Sequence, residues 1–397
     1  MSPRLTIVLP LKGRHLFTLR FLWHANRARL PYRFLIADGE VHPALAQVLE
    51  NSNEHFPNLD LEYVRYPDDC NFSCFFAKMA DALSRVTTPY AMIADNDDFL
   101  AYGGLERSLN FLESNSDYVC SAGRVVGFSV YSGLNNPSRG LRGKLNSLYP
   151  YYQSEDVSSP FVIERLRRGG LRLWIYYAVC RTEALAAVAR EVAELDFSDL
   201  LIHEAFHVMR TLTFGKAHSD HATVSYLRQY GTSQGFSFKK DWVHHLLRSR
   251  FTSDVHALVE RISKVASAVN GADSATIAED IRAVLDHKFR QFLWANYGSL
   301  QEIKRIVRQT MPNLVTWLQN RPRFFVSRDR SLLLRELVTA GASQDDLAQF
   351  RNELAMIEDT ISGEVFAGFV RPFLSALGPT KRLKTVALSS SVHRQLT

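Results

Sequence analysis

Three carboxylates stand close together directly after an apolar run. Residues 90–94 (YAMIA) predict a buried strand, and the acidic tetrapeptide at 95–98 (DNDD) follows it. Acidic groups this close repel one another, and a bound cation would relieve that repulsion. Hard oxygen ligands suit Mn²⁺ or Mg²⁺, which also bridge to diphosphates. A hydrated acidic turn without a metal is the alternative interpretation of this segment.

A second group of reactive residues is His203-Glu204-Ala205-Phe206-His207, which matches the His-Glu-x-x-His signature of zinc proteases. Its two histidines share one helical face, and the glutamate between them could activate water. A third ligand is required, and His218, His221 or a distant glutamate could supply it. The metzincin continuation is absent, since positions 210 and 213 hold arginine and threonine. A zinc hydrolase is therefore a second hypothesis.

Alternating strand and helix patterns surround the acidic segment. Runs rich in apolar and β-branched residues at 4–10, 33–37 and 61–64 predict strands, and the intervening spacings predict helices. This order predicts an α/β fold with a mainly parallel sheet flanked by helices. Ligands of such sheets bind beyond the carboxyl ends of the strands, where Pro10, Asp38 and Asp95 fall.

Two further regions differ in character from this pattern. Residues 133–160 are rich in Ser, Asn, Gly, Pro and Tyr, and we interpret them as a long functional loop. Helical spacing at 183–194 and 200–212 continues at 241–268, 275–296, 299–310 and 343–360. We therefore predict a catalytic domain at 1–240 and a helical C-terminal domain at 241–397.

Composition places the chain among folded proteins. Of its 397 residues 46% are hydrophobic and 22% charged, and the formal net charge is +6. The short basic clusters do not form a nucleic-acid-binding module, and the spacings of the four cysteines give neither a Cys-x-x-Cys zinc pair nor a disulfide framework. Neither a signal peptide nor a membrane span is predicted, so we expect a cytoplasmic protein, with peripheral contact at the inner membrane face left open.

Three ordered segments resemble the GT-A nucleotide-sugar glycosyltransferases, in particular the inverting family 2. Residues 6–14 (TIVLPLKGR) resemble that family's opening strand and turn, and residues 36–39 (IADG) resemble its Asp-Asp-Gly-Ser element with alanine in place of the first aspartate. Residues 88–98 (TPYAMIADNDD) resemble the strand that carries its Asp-x-Asp motif. The likeness covers roughly residues 4–235.

This resemblance implies a metal-dependent, hexosyltransferase-like enzyme with a GT-A fold. Asp97, and with it Asp95, would bind Mn²⁺ or Mg²⁺. Asp98 would orient these two aspartates. The family's general base is an acidic residue at the corresponding position of a helix, which makes Glu204 the candidate and Asp199 the alternative. The implied nucleotide-binding residues are Pro10, Lys12, Arg14, Asp38, Lys78, Asp95 and Asn96.

Each of these residues also has a structural interpretation. Asp199 could cap a helix, Asp38 could form a tight turn, and Glu204 could pair with Arg210 or Lys216. Trp174, Tyr176 and Tyr177 could stack on an acceptor sugar or belong to the core. The resemblance implies a nucleotide-sugar donor, with a UDP-sugar favoured, and a saccharide or lipid-linked acceptor in surface polysaccharide assembly. A degenerate transferase that acts as a binding module is the third hypothesis.

Overall fold

A computed structural model of the chain describes residues 3–40, 42–131, 141–152, 155–229, 250–271, 273–297 and 330–377. The parallel strands come first along the chain: β1 (Leu5–Leu11), β2 (Arg33–Asp38), β3 (Asp60–Arg65) and β4 (Tyr90–Ile93). β1 pairs in parallel with β2 and β4, and β2 pairs in parallel with β3. The predicted α/β fold is therefore confirmed.

Helices connect these strands, as parallel pairing requires. They are α1 (His15–Arg27), α2 (Pro43–Glu50), α3 (Ser52–His55) and α4 (Phe72–Ser84). β1 is almost fully buried along its length because helices cover both faces of a parallel sheet. The ends of β1 and β4 consequently point at one edge of the sheet.

The rest of the sheet has mixed pairing, which the sequence patterns did not indicate. After β5 (Phe99–Leu100) and α5 (Tyr102–Ser114), the strands are β6 (Tyr118–Tyr131), β7 (Lys144–Pro150), β8 (Val179–Arg181) and β9 (Lys216–Gln229). Within the described ranges these nine strands form one sheet in the order β3-β2-β1-β4-β8-β6-β9-β5, with β7 beside β6. β6 and β9 are parallel, while β4–β8, β6–β8, β6–β7 and β5–β9 are antiparallel.

The prediction of a loop across 133–160 was wrong for residues 144–150. They form β7, which pairs antiparallel with β6 and places Leu148 opposite Phe128. Leu145 and Leu148 are buried in a core shared with C-terminal helices, so burial of these leucines favours a strand. Residues 132–140, 153 and 154 lie outside the described residues.

The remaining helices pack around this sheet. Between β7 and β9 lie α6 (Val162–Gly169), a 3₁₀ turn (Leu173–Tyr177), α7 (Thr182–Leu195) and α8 (Leu200–Phe214). The C-terminal helices are α9 (Phe251–Asn270), α10 (Ser274–Tyr297), α11 (Arg330–Thr339), α12 (Gln344–Ser362) and α13 (Glu364–Leu377). No helix among the described residues combines the length and apolarity that crossing a bilayer requires.

The C-terminal helices pack against the sheet and its helices at two places. α9 and α10 contact α8 and α6, and Leu258 and Ile262 of α9 belong to the main hydrophobic core. On another side, α13 stacks Phe369 on Trp23 of α1, with ring centroids 4.5 Å apart. The predicted domain boundary after residue 240 falls among residues 230–249, outside the described ranges, and stays a prediction, as does the helix at 299–310.

Candidate active site

The acidic segment forms the turn between β4 and β5. Oxygen atoms of Asp95, Asp97 and Asp98 lie within 4.8 Å of one another. Asp97 and Asp98 are each 1% exposed, whereas the Asp95 side chain is 33% exposed. Asp95 therefore opens toward solvent, and the other two carboxylates lie behind it.

Hydrogen bonds from distant parts of the chain hold this turn. Tyr177 donates its hydroxyl proton to Asp95 Oδ2 at 3.1 Å, and the Asp95 amide donates to the Tyr226 hydroxyl at 2.9 Å. The backbone amide of Gln229 donates to Asp98 Oδ1 at 2.7 Å. The 3₁₀ turn and the end of β9 thus fix the positions of two of the three carboxylates.

Three arginines surround the carboxylates. Arg14 Nη2 lies 2.7 Å from Asp97 Oδ2, and Arg20 Nη2 donates to the Asp97 backbone carbonyl at 2.5 Å. Arg228 Nη2 lies 3.9 Å from Asp95 Oδ2, while its Nη1 donates to the hydroxyl of a neighbouring tyrosine. The three positive charges balance the three carboxylates, which makes this largely buried cluster electrostatically tolerable.

Burial dominates the titration of the cluster. It raises the pKa of Asp98 well above the usual range, and the neighbouring charges of Asp97 and Asp95 raise it further. Burial also raises the pKa of Asp95, although Arg228 opposes this rise. Burial lowers the pKa of Arg20 to about 9. A positive ion at this position would favour full ionisation of the carboxylates.

The donor set fits a hard divalent cation. It consists of three carboxylates that bring ligand atoms within 4.8 Å, one of them facing solvent. Mg²⁺ and Mn²⁺ prefer oxygen ligands and retain open positions for water or phosphate oxygens. Asp95 and Asp97 could hold such an ion, and Asp98 is kept in place behind them by β9.

A second polar cluster lies where β1 and β2 end. Asp38 is fully buried; it accepts hydrogen bonds from the Tyr63 hydroxyl at 2.8 Å and from a backbone amide in its own turn. Lys78 is 2% exposed, and its Nζ donates to the Leu11 carbonyl at 3.0 Å and to Asp69 Oδ2 at 2.6 Å. Burial raises the pKa of Asp38 and lowers the pKa of Lys78.

Asp69 joins this cluster, although no sequence motif indicated it. Its Oδ1 lies 3.6 Å from Lys12 Nζ, and its side chain packs directly over Gly39. A Cβ atom at position 39 would meet Asp69 Oδ2 at 2.1 Å, so only glycine permits this approach. Lys12 is about one third exposed and is the more accessible of the two lysines.

The other predicted nucleotide-binding residues lie in β1, just before α1 and in the acidic turn. Pro10 is half-buried opposite Ala37 of β2. Arg14 has a left-handed backbone with φ 58 just before α1, and the Asn96 side chain donates to Thr18 Oγ1 of that helix at 2.9 Å. The structure thus joins the acidic turn to the start of α1, while nucleotide binding by these residues stays a prediction.

Glu204 lies on α8, half-buried, near the same tyrosines as Asp95. The charges of Glu204 and Asp95 both act to raise the pKa of Tyr152 and of Tyr176, where burial is the main cause. Tyr152, Tyr176 and Tyr177 pack on one another and form an aromatic wall near both carboxylates. The role of Glu204 as a general base stays a prediction.

The structural alternatives differ in outcome. Asp199 is the N-cap of α8, and its Oδ1 accepts from the Leu201 amide at 2.8 Å, as the capping interpretation predicts. Arg210 pairs with Glu191, and Lys216 pairs with Asp117, so both cations considered for Glu204 bind other carboxylates. Of the aromatic residues, Trp174 and Tyr177 are buried in the core, whereas Tyr176 is only partly buried.

The histidines of the zinc signature are core residues. His203 packs on Phe76 with ring centroids 4.8 Å apart, and His207 packs on Tyr176 at 4.7 Å. Burial lowers the pKa of His203 to about 3 and that of His207 to about 4. In the part of the chain that the structure describes, the aspartate triad is the only group of three potential ligands found.

One candidate for the third zinc ligand, His218, has other contacts. His218 lies 3.0 Å from Asp156 Oδ1 and stacks on Phe111 with centroids 3.7 Å apart. The zinc hypothesis therefore lacks a third ligand among the described residues. The features that sequence reasoning missed are Arg20, Asp69, Tyr226 and Arg228, which come from segments whose local patterns carry no motif.

Comparison with known proteins gives structural similarities only. The sequence matches no protein-family model and no curated protein. The structure is similar to solved proteins that bind nucleotide sugars. TarS 1–349 from S. aureus is 11% identical with a TM-score of 0.43, covering 94% of this chain and 86% of that chain.

Two complexes are also similar. TarS 1–349 in complex with UDP-GlcNAc is 12% identical with a TM-score of 0.43, covering 88% of this chain and 90% of that chain. The mannosyltransferase PcManGT from Pyrobaculum calidifontis, in complex with GDP-Man and Mn²⁺, is 13% identical with a TM-score of 0.37, covering 86% of each chain. Similarities of this size do not by themselves assign an activity.

Proposed function

We propose that this chain is a metal-dependent inverting glycosyltransferase with a nucleotide-sugar donor, a UDP-sugar being favoured, and a saccharide or lipid-linked acceptor. The observation that carries the proposal is the triad of Asp95, Asp97 and Asp98, whose oxygens lie within 4.8 Å at the end of a parallel strand. That edge is where open sheets bind ligands. Surface polysaccharide assembly, and with it a cytoplasmic location at the inner membrane face, stays a prediction.

The residues of the site divide the chemistry among them. A divalent ion, when bound, neutralises the negative charge that develops on the departing diphosphate. Asp95 and Asp97 would hold that ion, and the Gln229 amide keeps Asp98 behind them. Arg228, which is 9% exposed, adds a positive charge next to Asp95 that cannot move away into solvent.

Glu204 would act as the general base. It would take the proton of the acceptor hydroxyl as that oxygen bonds to the anomeric carbon and the bond to the diphosphate breaks. Attack on the face opposite the leaving group inverts the configuration. The aromatic wall that Glu204 and Asp95 share would exclude water from the reacting atoms.

The first test is calorimetric titration of UDP, GDP and CMP with and without Mn²⁺. Asp97→Asn keeps the size of the side chain but removes its charge. Asp68→Asn makes the same substitution at an exposed position, directly before Asp69, and is the matched control. We expect one nucleotide to bind tightly only with Mn²⁺, binding to be lost in Asp97→Asn, and the control to behave as the parent.

Two outcomes would overturn the proposal. Absence of nucleotide binding in every condition, together with zinc retained through purification, would favour the hydrolase built on His203 and His207. Metal-dependent nucleotide binding without transfer to acceptors or hydrolysis of the matching nucleotide sugar would favour the binding module.

A further inference from the structure

Two thiols are in contact at the start of α4. Cys70 Sγ and Cys74 Sγ lie 3.3 Å apart, and both cysteines are free. Cys70 is exposed and Cys74 is partly exposed. Both therefore lie at the surface. Cys70 directly follows Asp69, which pairs with Lys78 in the second polar cluster.

The local backbone makes the two thiols unequal. Asn71 caps α4 by accepting a hydrogen bond from the Cys74 amide at 2.9 Å, which places Cys74 in the first turn of the helix. Hydrogen bonds from the backbone and thiol of Cys70 lower the pKa of Cys74, while the same thiol contact raises the pKa of Cys70. Cys74 is thus the better nucleophile of the pair.

We propose that Cys70 and Cys74 form a modification site at which a small disulfide, such as glutathione disulfide, reversibly oxidises the two thiols to an intramolecular disulfide. The Cys74 thiolate attacks one sulfur of glutathione disulfide and releases glutathione as a thiolate. The Cys70 thiolate then attacks the mixed disulfide at Cys74 and releases the second glutathione. The protein loses two electrons and two protons, and the oxidant becomes two thiols.

The required movement is small. The sulfur atoms must approach from 3.3 Å to about 2.05 Å, the length of a disulfide bond. Cys70 precedes the helix and is exposed, so rotation of its side chain can supply this movement without disturbing the core.

A second cysteine pair provides an internal control. Cys120 and Cys180 are directly opposite in the antiparallel β6–β8 pair, and both are at most 1% exposed. Their thiols are also close enough to raise the pKa of Cys120 well above the usual range. Because they are buried, a water-soluble disulfide cannot reach them in the folded protein. Comparison of the two pairs thus distinguishes the effect of thiol proximity on oxidation from the effect of solvent accessibility.

Mass spectrometry of the full chain tests the proposal. The reduced protein is equilibrated with mixtures of glutathione and glutathione disulfide and quenched in acid. It is then unfolded in the presence of N-ethylmaleimide, which labels free thiols, and digested with trypsin. Cleavage after Arg65 and Lys78 leaves both cysteines in one peptide, residues 66–78. We expect this peptide to lose two hydrogens and to carry no label, and dithiothreitol to restore two labels.

The control peptides sharpen the result. Peptides with Cys120 and Cys180 should stay fully labelled under every condition, and Cys120→Ala should leave oxidation of the 66–78 peptide unchanged. Cys70→Ser should accumulate a glutathione adduct on Cys74, because the resolving thiol is gone. The proposal is overturned if the parent 66–78 peptide takes two labels after oxidation, if it carries glutathione without an internal crosslink, or if the crosslink joins two chains.

Discussion

The contact between Arg14 and Asp97 predicts that this arginine competes with the metal ion. Arg14 Nη2 lies 2.7 Å from Asp97 Oδ2, one of the oxygens that the ion would need. The substitution Arg14→Gln removes the positive charge and frees this oxygen. We therefore expect Mn²⁺ to bind more tightly in the absence of nucleotide.

The size of the effect follows from the burial of the pair. The side chains of Arg14 and Asp97 are 14% and 1% exposed, so water screens the contact only in part. The energy of a partly screened ion pair lies between roughly 1 kcal/mol for exposed pairs and roughly 4 kcal/mol for two charges about 4 Å apart at an effective dielectric constant of about 20. Since 1.4 kcal/mol corresponds to a factor of about ten, we expect Mn²⁺ affinity to rise about tenfold.

Nucleotide should reverse the sign of this effect. With the diphosphate bound, Arg14 supplies a positive charge next to it, and its loss should weaken the binding of UDP with Mn²⁺. Calorimetry of Mn²⁺ alone, and of UDP at saturating Mn²⁺, measures the two effects separately. Arg29→Gln is the matched control, because Arg29 is exposed and also has a left-handed backbone with φ 49.

One result would refute this reasoning. If Arg14→Gln folds like the parent and binds Mn²⁺ alone no more tightly, Arg14 does not compete for Asp97. The same substitution with weaker UDP binding but unchanged Mn²⁺ binding would leave Arg14 as a phosphate ligand only.

Three further predictions concern the base and two buried groups. Glu204→Gln should lower the transfer rate at least a hundredfold, because it removes the general base, and should leave UDP affinity in calorimetry unchanged. Lys78→Met should lower the free energy of unfolding in urea by about 3–5 kcal/mol, because it leaves Asp69 buried without its closest cation, and Asp69→Leu in the same chain should restore much of that loss. Burial lowers the pKa of His207 from its ordinary 6.5 to about 4, so protons bind the unfolded state first as the pH falls below 6.5. This shift alone should lower the free energy of unfolding by about 2 kcal/mol by pH 5. The substitution His207→Gln should remove this part of the pH dependence.

Each of these has a control and a contradicting outcome. Glu183→Gln, at an exposed position on α7, should leave the transfer rate unchanged, and normal transfer by Glu204→Gln would exclude Glu204 as the base. Unchanged stability of Lys78→Met would show that the ion pair with Asp69 contributes nothing. His256→Gln, whose side chain is 69% exposed, should retain the full pH dependence; if His207→Gln also retains it, other groups cause the loss.

The local chemistry of the acidic segment made the site predictable. An apolar strand that ends in three carboxylates restricts the position of those groups to the edge of a parallel sheet, and the structure brings them within 4.8 Å. Strands β1, β2 and β4 were predictable for a similar reason, since buried parallel strands give continuous apolar runs. Helix α8 and its cap, Asp199, were also visible in the local pattern.

The second half of the sheet was not predictable, because pairing between distant strands leaves little local signal. Leu145 and Leu148 occur in a segment rich in turn-forming residues, and only their burial against β6 and the C-terminal helices makes β7 a strand. Likewise, the signature around His203 and His207 has the spacing of a zinc site, but the tertiary structure surrounds both rings with aromatic side chains.

The sequence by itself determined that three carboxylates end a buried strand, because that arrangement depends on residues that are neighbours along the chain. Only the tertiary structure decided what faces them. Arg228 and Tyr226 follow Asp95 by more than 130 residues, and they reach it because β9 pairs with β5 directly after the acidic turn. Such pairing depends on the packing of the whole sheet, which no short segment encodes.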